Sequence, residues 1–289
     1  MANGVDPARL FDRIVIVDWS SANGPKTGAD SIWIADSRAP TLNPPTRAAA
    51  MERIDAVIED GRQRGERLLT GWDFAFGYPA GFAAALGLEG WRGVWDRLHA
   101  RTQDGPDNRS NRFEVGARIN RELGPHGGPF WGHVGRERPN GLSGRRFPSG
   151  GRDFPYPFDY LRHVERALPS ASPVFKLAYP GSVGSQALLG IAQLEGLRRR
   201  FPERVAVWPF ETDFAADLSA PVTLAEIYPS AHAVPEGPEV KDRRQVEAVL
   251  RDFLDWDEQG LLHEKLNAPG LTGAARDAVR REEGWVVGL

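Results

Sequence analysis

Apolar runs and apolar periodicities alternate along the chain. Arg13 to Asp18 carries the unbroken run Ile14, Val15, Ile16, Val17, which predicts a strand buried on both faces. Asn23-Gly24 then signals a turn, and Ser31 to Ala35 reads as a second strand, so residues 13–36 form a hairpin with a long loop. Pro40, Pro44 and Pro45 mark an irregular stretch with a short edge strand. Residues 47–65 repeat apolar positions at helical spacing (Met51, Ile54, Val57, Ile58), and Leu68 to Ala75 returns to strand. After residue 173 the alternation resumes. Strands are expected at Val174 to Tyr179, Val205 to Trp208 and Val222 to Tyr228. Helices are expected at Gln186 to Arg200, Lys241 to Trp256 and Leu271 to Glu282. Such alternation predicts an α/β fold with a mixed sheet flanked by helices.

The region between differs. Residues 82–172 hold short helical patterns, such as Trp91, Val94, Trp95 and Leu98, between loops rich in Gly, Pro and Arg, with a long loop at Asn140 to Asp153. The expected organisation is a core of residues 1–81 and 173–289 with a mainly helical and loop insertion, or cap, at 82–172. That insertion is basic. Residues 92–152 contain 12 arginines against six acids, a local excess of +6 that leaves −9 for the rest of a chain of net charge −3. Guanidinium forks suit phosphates, and the interleaved Trp91, Trp95, Phe113, Phe130, Trp131 and Phe147 would offer stacking surfaces for bases. Arg145 and Arg146 are the candidate phosphate contacts in the loop. The competing explanation is codon bias, since only four basic residues of 36 are lysine.

With no cysteine, disulfides, thiolate metal sites and thiol catalysis are excluded. No apolar run approaches a membrane span, and Met1 to Leu10 has no apolar signal core, so a cytoplasmic protein is expected. The six histidines show no zinc-ligand spacing, and Ser20 and Ser21 lack a nucleophile-elbow context.

The acids carry the candidate chemistry. Asp18 ends the first strand, Asp73 lies near the end of the next buried strand, Glu226 lies in Ala225-Glu226-Ile227-Tyr228-Pro229, and Asp242 opens the following helix. Function in α/β sheets concentrates at the carboxyl ends of strands, and a strand carboxylate is costly to bury unpaired. Brought together, the four would hold Mg²⁺ or Mn²⁺ through oxygen ligands. Each also has an ordinary reading: an Asx turn for Asp18, an arginine partner for Asp73 or Glu226, a helix-dipole partner for Asp242. Glu211 is a fifth candidate. Two loops are candidates for substrate contact. Ser20 and Lys26 lie in the hairpin loop after Asp18. Ser182 and Ser185 lie in Pro180-Gly181-Ser182-Val183-Gly184-Ser185, where a helix start would cradle an anion or Ser185 would simply cap the helix.

The strand ending in Asp18, the hairpin, the helix, the strand carrying Asp73, then Glu226-Ile227-Tyr228-Pro229 and the closing Glu283-Gly284-Trp285-Val286-Val287-Gly288 resemble the DUF429 family. These are predicted nucleases of the ribonuclease H-like superfamily, and members often carry labels of molybdopterin-guanine dinucleotide or cobalamin biosynthesis. The resemblance covers residues 13–80 and 174–289. It implies a ribonuclease H-like mixed sheet, with Asp18, Asp73, Glu226 and Asp242 as metal-binding catalytic acids. The implied activity is metal-dependent phosphodiester hydrolysis of a nucleic acid or nucleotide. Asp73 is followed by Phe74-Ala75-Phe76 rather than directly by proline, and the family's acidic helix is matched only by Lys241-Asp242-Arg243-Arg244-Gln245. Two alternatives stay open: a nucleotide-dependent transferase of cofactor metabolism, and a catalytically idle binding module on the same fold.

Overall fold

The computed structural model describes residues 9–144 and 154–289. Six strands form one mixed sheet: β1 (Arg13–Asp18), β2 (Trp33–Asp36), β3 (Ala39–Leu42), β4 (Leu68–Trp72), β5 (Val205–Val207) and β6 (Val222–Glu226). Their spatial order is β3-β2-β1-β4-β6-β5. The first three are antiparallel neighbours, whereas β1, β4, β6 and β5 run parallel. Helix α1 (Arg47–Arg64) crosses from β3 to β4. Its start is capped by Thr46 and its end by Gly65 in the left-handed conformation. Among the described residues, four helices lie in the middle of the chain: α2 (Phe82–Ala85), α3 (Gly90–Arg101), α4 (Arg112–Leu123) and α5 (His163–Ala167). They are followed by α6 (Gly184–Arg200), α7 (Lys241–Glu258), α8 (Leu262–Asn267) and α9 (Gly273–Ala278).

Strand periodicity divides the core in two. Val15, Val17 and Trp72 face α1, α3 and α6, whereas Ile14, Ile16, Leu69 and Ala225 face α7 and the C-terminal segments. Buried side chains of the 82–172 segment, among them Trp91, Trp95, Val115 and Phe130, share the first core with Val17 and Leu188. The middle of the chain is therefore continuous with the helical layer on that face.

Three expectations need correction. Val174 to Tyr179 is not a sheet strand. It makes one bridge, between Trp131 and Lys176, and its buried Phe175 packs among Phe82, Phe130 and Tyr160. A short apolar run fits such an aromatic layer as well as a strand. The single helix expected at Leu271 to Glu282 starts only at Gly273 and widens into a π turn over Val279–Glu283. The strands expected to reach Ala75 and Tyr228 stop at Trp72 and Glu226, where the chain turns away from the sheet. Among the described residues no helix is long and apolar enough to cross a membrane.

Candidate active site at the carboxyl edge of the sheet

The register of the parallel strands aligns Val17, Trp72 and Glu226 across β1, β4 and β6. Asp18 and Asp73 are each one residue further on, and the Asp73 amide donates to Val17 O at 3.0 Å, which keeps the two chain ends together. Adjacent strands lie about 4.8 Å apart, so the two acids share one edge. Asp242 comes from elsewhere in sequence. It is the second residue of α7, which packs on β1 and β2. Its Oδ2 accepts from Asp30 N at 2.6 Å, tying the helix start to the β1–β2 loop.

Asp18 and Asp73 accept no side-chain hydrogen bond or ion pair from any described residue. Burial pushes the Asp18 carboxyl well above its ordinary range, helped by the charges of Asp73, Asp242 and Asp30. Burial also raises Asp73 to about 7, with repulsion from Glu226 and Asp242 adding to it. These carboxyls thus hold protons far more tightly than exposed aspartates do.

Glu226 is at the same edge in a different state. It is buried, and Arg162 grips it through two bonds: Nη2 to Oε1 at 2.8 Å and Nη1 to Oε2 at 2.9 Å. Phe76 N adds a third bond to Oε2 at 2.9 Å. Arg162 also donates to Glu165 Oε1 at 3.0 Å and to Glu283 O at 2.8 Å, so one guanidinium joins three segments: its own, the end of β6 and the C-terminal segment. Glu226 follows Val222 and Leu224 toward the α6 face, whereas Asp18 follows Ile14 and Ile16 toward α7. An apolar cleft opens beside this edge, lined by Asp73, Arg162, Glu226, Val183, Tyr228 and Val286.

The remaining candidates fall as follows. The Ser20 hydroxyl donates to Asp30 O at 3.3 Å, and Lys26 Nζ pairs with Asp30 at 3.4 Å, so both close the loop on Asp30. Ser182 N donates to Tyr179 O in a turn. Ser185 is buried, donates to Leu177 O at 2.6 Å and accepts from Arg112 Nε at 3.1 Å. Helix α6 begins at Gly184 with Val183 before it, so Ser185 sits inside the first turn and does not cap the helix. Glu211 is engaged by Arg92, Arg198 and Val207 N. Arg145 and Arg146 lie outside the described residues.

The donor set of Asp18, Asp73 and Asp242 is all oxygen and anionic, which fits a hard divalent cation. Among the described residues, no group of three His, Asp or Glu side chains is disposed to hold a metal ion as it stands. Arg162 had no motif to announce it; the only signal was that a strand glutamate demands a buried cation somewhere. Comparison of the chain with family models, with curated proteins and with solved structures finds no match.

Proposed function

We propose that the protein is a metal-dependent phosphodiester hydrolase of ribonuclease H-like architecture, acting on a nucleic acid or nucleotide. Asp18, Asp73 and Asp242 would hold Mg²⁺ or Mn²⁺. One observation carries the reading: Asp18 and Asp73 end neighbouring parallel strands, half-buried, mutually repelling and without a cationic partner among the described residues. A stability-only role would have paired them, as Glu226 is paired. The strand order, an antiparallel β3-β2-β1 unit continued by parallel β4 and β6, supports the ribonuclease H-like architecture.

When bound, the cation would screen the carboxylates, polarise a phosphoryl oxygen and make water a better nucleophile. The protein's own groups set the frame for this. Asp242 brings α7 and the β1–β2 loop to the edge, beside the end of β1. Glu226 is a positioning residue: through Arg162 and Phe76 N it holds the chain that leaves β4 just after Asp73.

The test is hydrolysis of bis(p-nitrophenyl) phosphate and of a labelled single-stranded oligonucleotide, with Mn²⁺, Mg²⁺ or EDTA. Activity should require a divalent cation. Asp18→Asn and Asp73→Asn should each lower kcat/KM by about 10²-fold or more, while Glu211→Gln should leave it unchanged. Calorimetry that detects no Mn²⁺ binding to the wild type would end the proposal.

A further inference from the structure

Four arginines of the described chain are buried: Arg13, Arg47, Arg112 and Arg162. Three of them rest on carboxylates, Arg13 on Asp36, Arg47 on Asp104 and Arg162 on Glu226. Arg112 rests on none. It is 6% exposed, and its bonds go to neutral oxygens: Nε to Ser185 Oγ at 3.1 Å, Nη1 to Ser110 Oγ at 2.9 Å and to Asn23 Oδ1 at 3.3 Å. Its Nη2 donates to no described residue and is not sealed from solvent.

The surroundings add positive charge. Asp104, whose charge reaches Arg112, is engaged by Arg47 Nε and Nη2 at 2.7 and 2.6 Å and by Gln193 at 3.1 Å. Arg47 therefore takes up this carboxylate, and Arg112 makes no bond to it. Glu114, on the next turn face, is exposed. Arg112 is the first residue of α4, and its partner Ser185 is the second residue of α6, so two helix N-termini meet here. Neither is capped by a side chain. Both macrodipoles repel the guanidinium. Burial, and then Arg47, pull the Arg112 pKa down to about 10, with the charges of Asp104 and Glu114 offsetting only part of this.

We infer that Arg112, with Ser110 and Asn23, forms a binding site for a phosphoryl group where the starts of α4 and α6 meet the loop after Asp18. An anion there would neutralise a charge that the protein compensates only in part. A guanidinium, a hydroxyl and helix amides offer more donors than a planar carboxylate uses, and suit a tetrahedral anion. The loop is rigid enough to present Asn23: Arg47 Nη1 holds Ser20 O and Ala22 O at 3.1 and 2.9 Å, and Asn108 Nδ2 holds Gly24 O at 3.1 Å. Asn23 is five residues from Asp18, so the site lies within roughly 18 Å of the edge acids even if the loop were fully extended.

The inference stands apart from the hydrolase reading and is tested in EDTA, where metal plays no part. Inorganic phosphate and adenosine 5′-monophosphate are titrated into the full chain by calorimetry, with melting curves in phosphate and in chloride at equal ionic strength. Phosphate should raise Tm beyond chloride. Arg112→Gln should weaken binding by about tenfold or more, and Arg112→Lys should recover part of it, because lysine restores charge without the fork. Tighter binding of the mononucleotide than of phosphate would mark a nucleotide as the source, and equal binding a free phosphate; either supports the site. If Arg112→Gln does not fold, the wild-type Tm shift and the lysine variant carry the test. Wild-type melting indifferent to tens of millimolar phosphate, or undiminished binding by a folded Arg112→Gln or Arg112→Lys variant, would overturn it.

Discussion

Replacing Asp73 with asparagine should stabilise the protein, and the gain should depend on pH in a defined way. In the unfolded chain the carboxyl titrates near 3.8, and in the fold at about 7, through burial and then the charges of Glu226 and Asp242. Between these values the native state keeps a proton that the unfolded chain has released. Wild-type stability from this group is therefore full below about pH 4, declines as pH rises, and is lost above 7. The interval at about 1.4 kcal/mol per pH unit gives about 4 kcal/mol, and solvent at the half-buried carboxylate reduces this to between about 2 and 4. Asparagine fills the same volume and never ionises. Urea unfolding of both proteins at pH 4.5, 6 and 8, in EDTA, gives the difference directly. Glu165 and Glu282 are common to both chains and largely cancel, whereas Asp18, whose carboxyl is pushed up by the Asp73 charge, ionises more easily in the variant and adds to its gain at high pH. Asp73→Asn should be more stable than wild type by about 1 kcal/mol or less at pH 4.5, and by the full about 2 to 4 kcal/mol at pH 8. A difference that is flat with pH, or a variant less stable at pH 8, would refute the placement of Asp73 in an uncompensated acidic cluster.

Two further outcomes follow from packing. Arg162→Met leaves Glu226 buried beside Glu165 without a cation and should cost about 3–5 kcal/mol by urea unfolding; adding Glu226→Gln should recover part of it, since the uncompensated charge is then gone. Gly190→Ala on α6 would set a Cβ within 2.3–2.5 Å of the Phe74 ring, next to Asp73. It should lower stability by about 1–3 kcal/mol in the same assay, and reduce kcat more than it raises KM.

Much of the framework was legible in the chain. Ile14 to Val17 announced a central strand because four consecutive β-branched residues suit burial on both faces, and α1 was marked by the helical spacing of Met51, Ile54, Val57 and Ile58. That Asp18 and Asp73 reach one edge followed from their positions at the ends of such strands. Local pattern misjudged Val174 to Tyr179, because apolar side chains are needed equally by a strand and by an aromatic layer fed from Phe82, Phe130 and Phe158.

Tertiary structure alone decided the electrostatics. Glu226 was placed with the other acids by its strand, yet register and the two-residue period turn it to the opposite face from Asp18, against Arg162, 64 residues away. Which arginine meets which acid depends on long-range packing, and all arginines look alike in sequence. The same holds for Arg112, one of 12 in a basic stretch. Only the fold shows that Arg47 has already taken Asp104, leaving Arg112 buried against neutral oxygens. Apolar periodicity is a local property that each segment carries with it. Charge compensation is a property of neighbours, and neighbours exist only once the chain has folded.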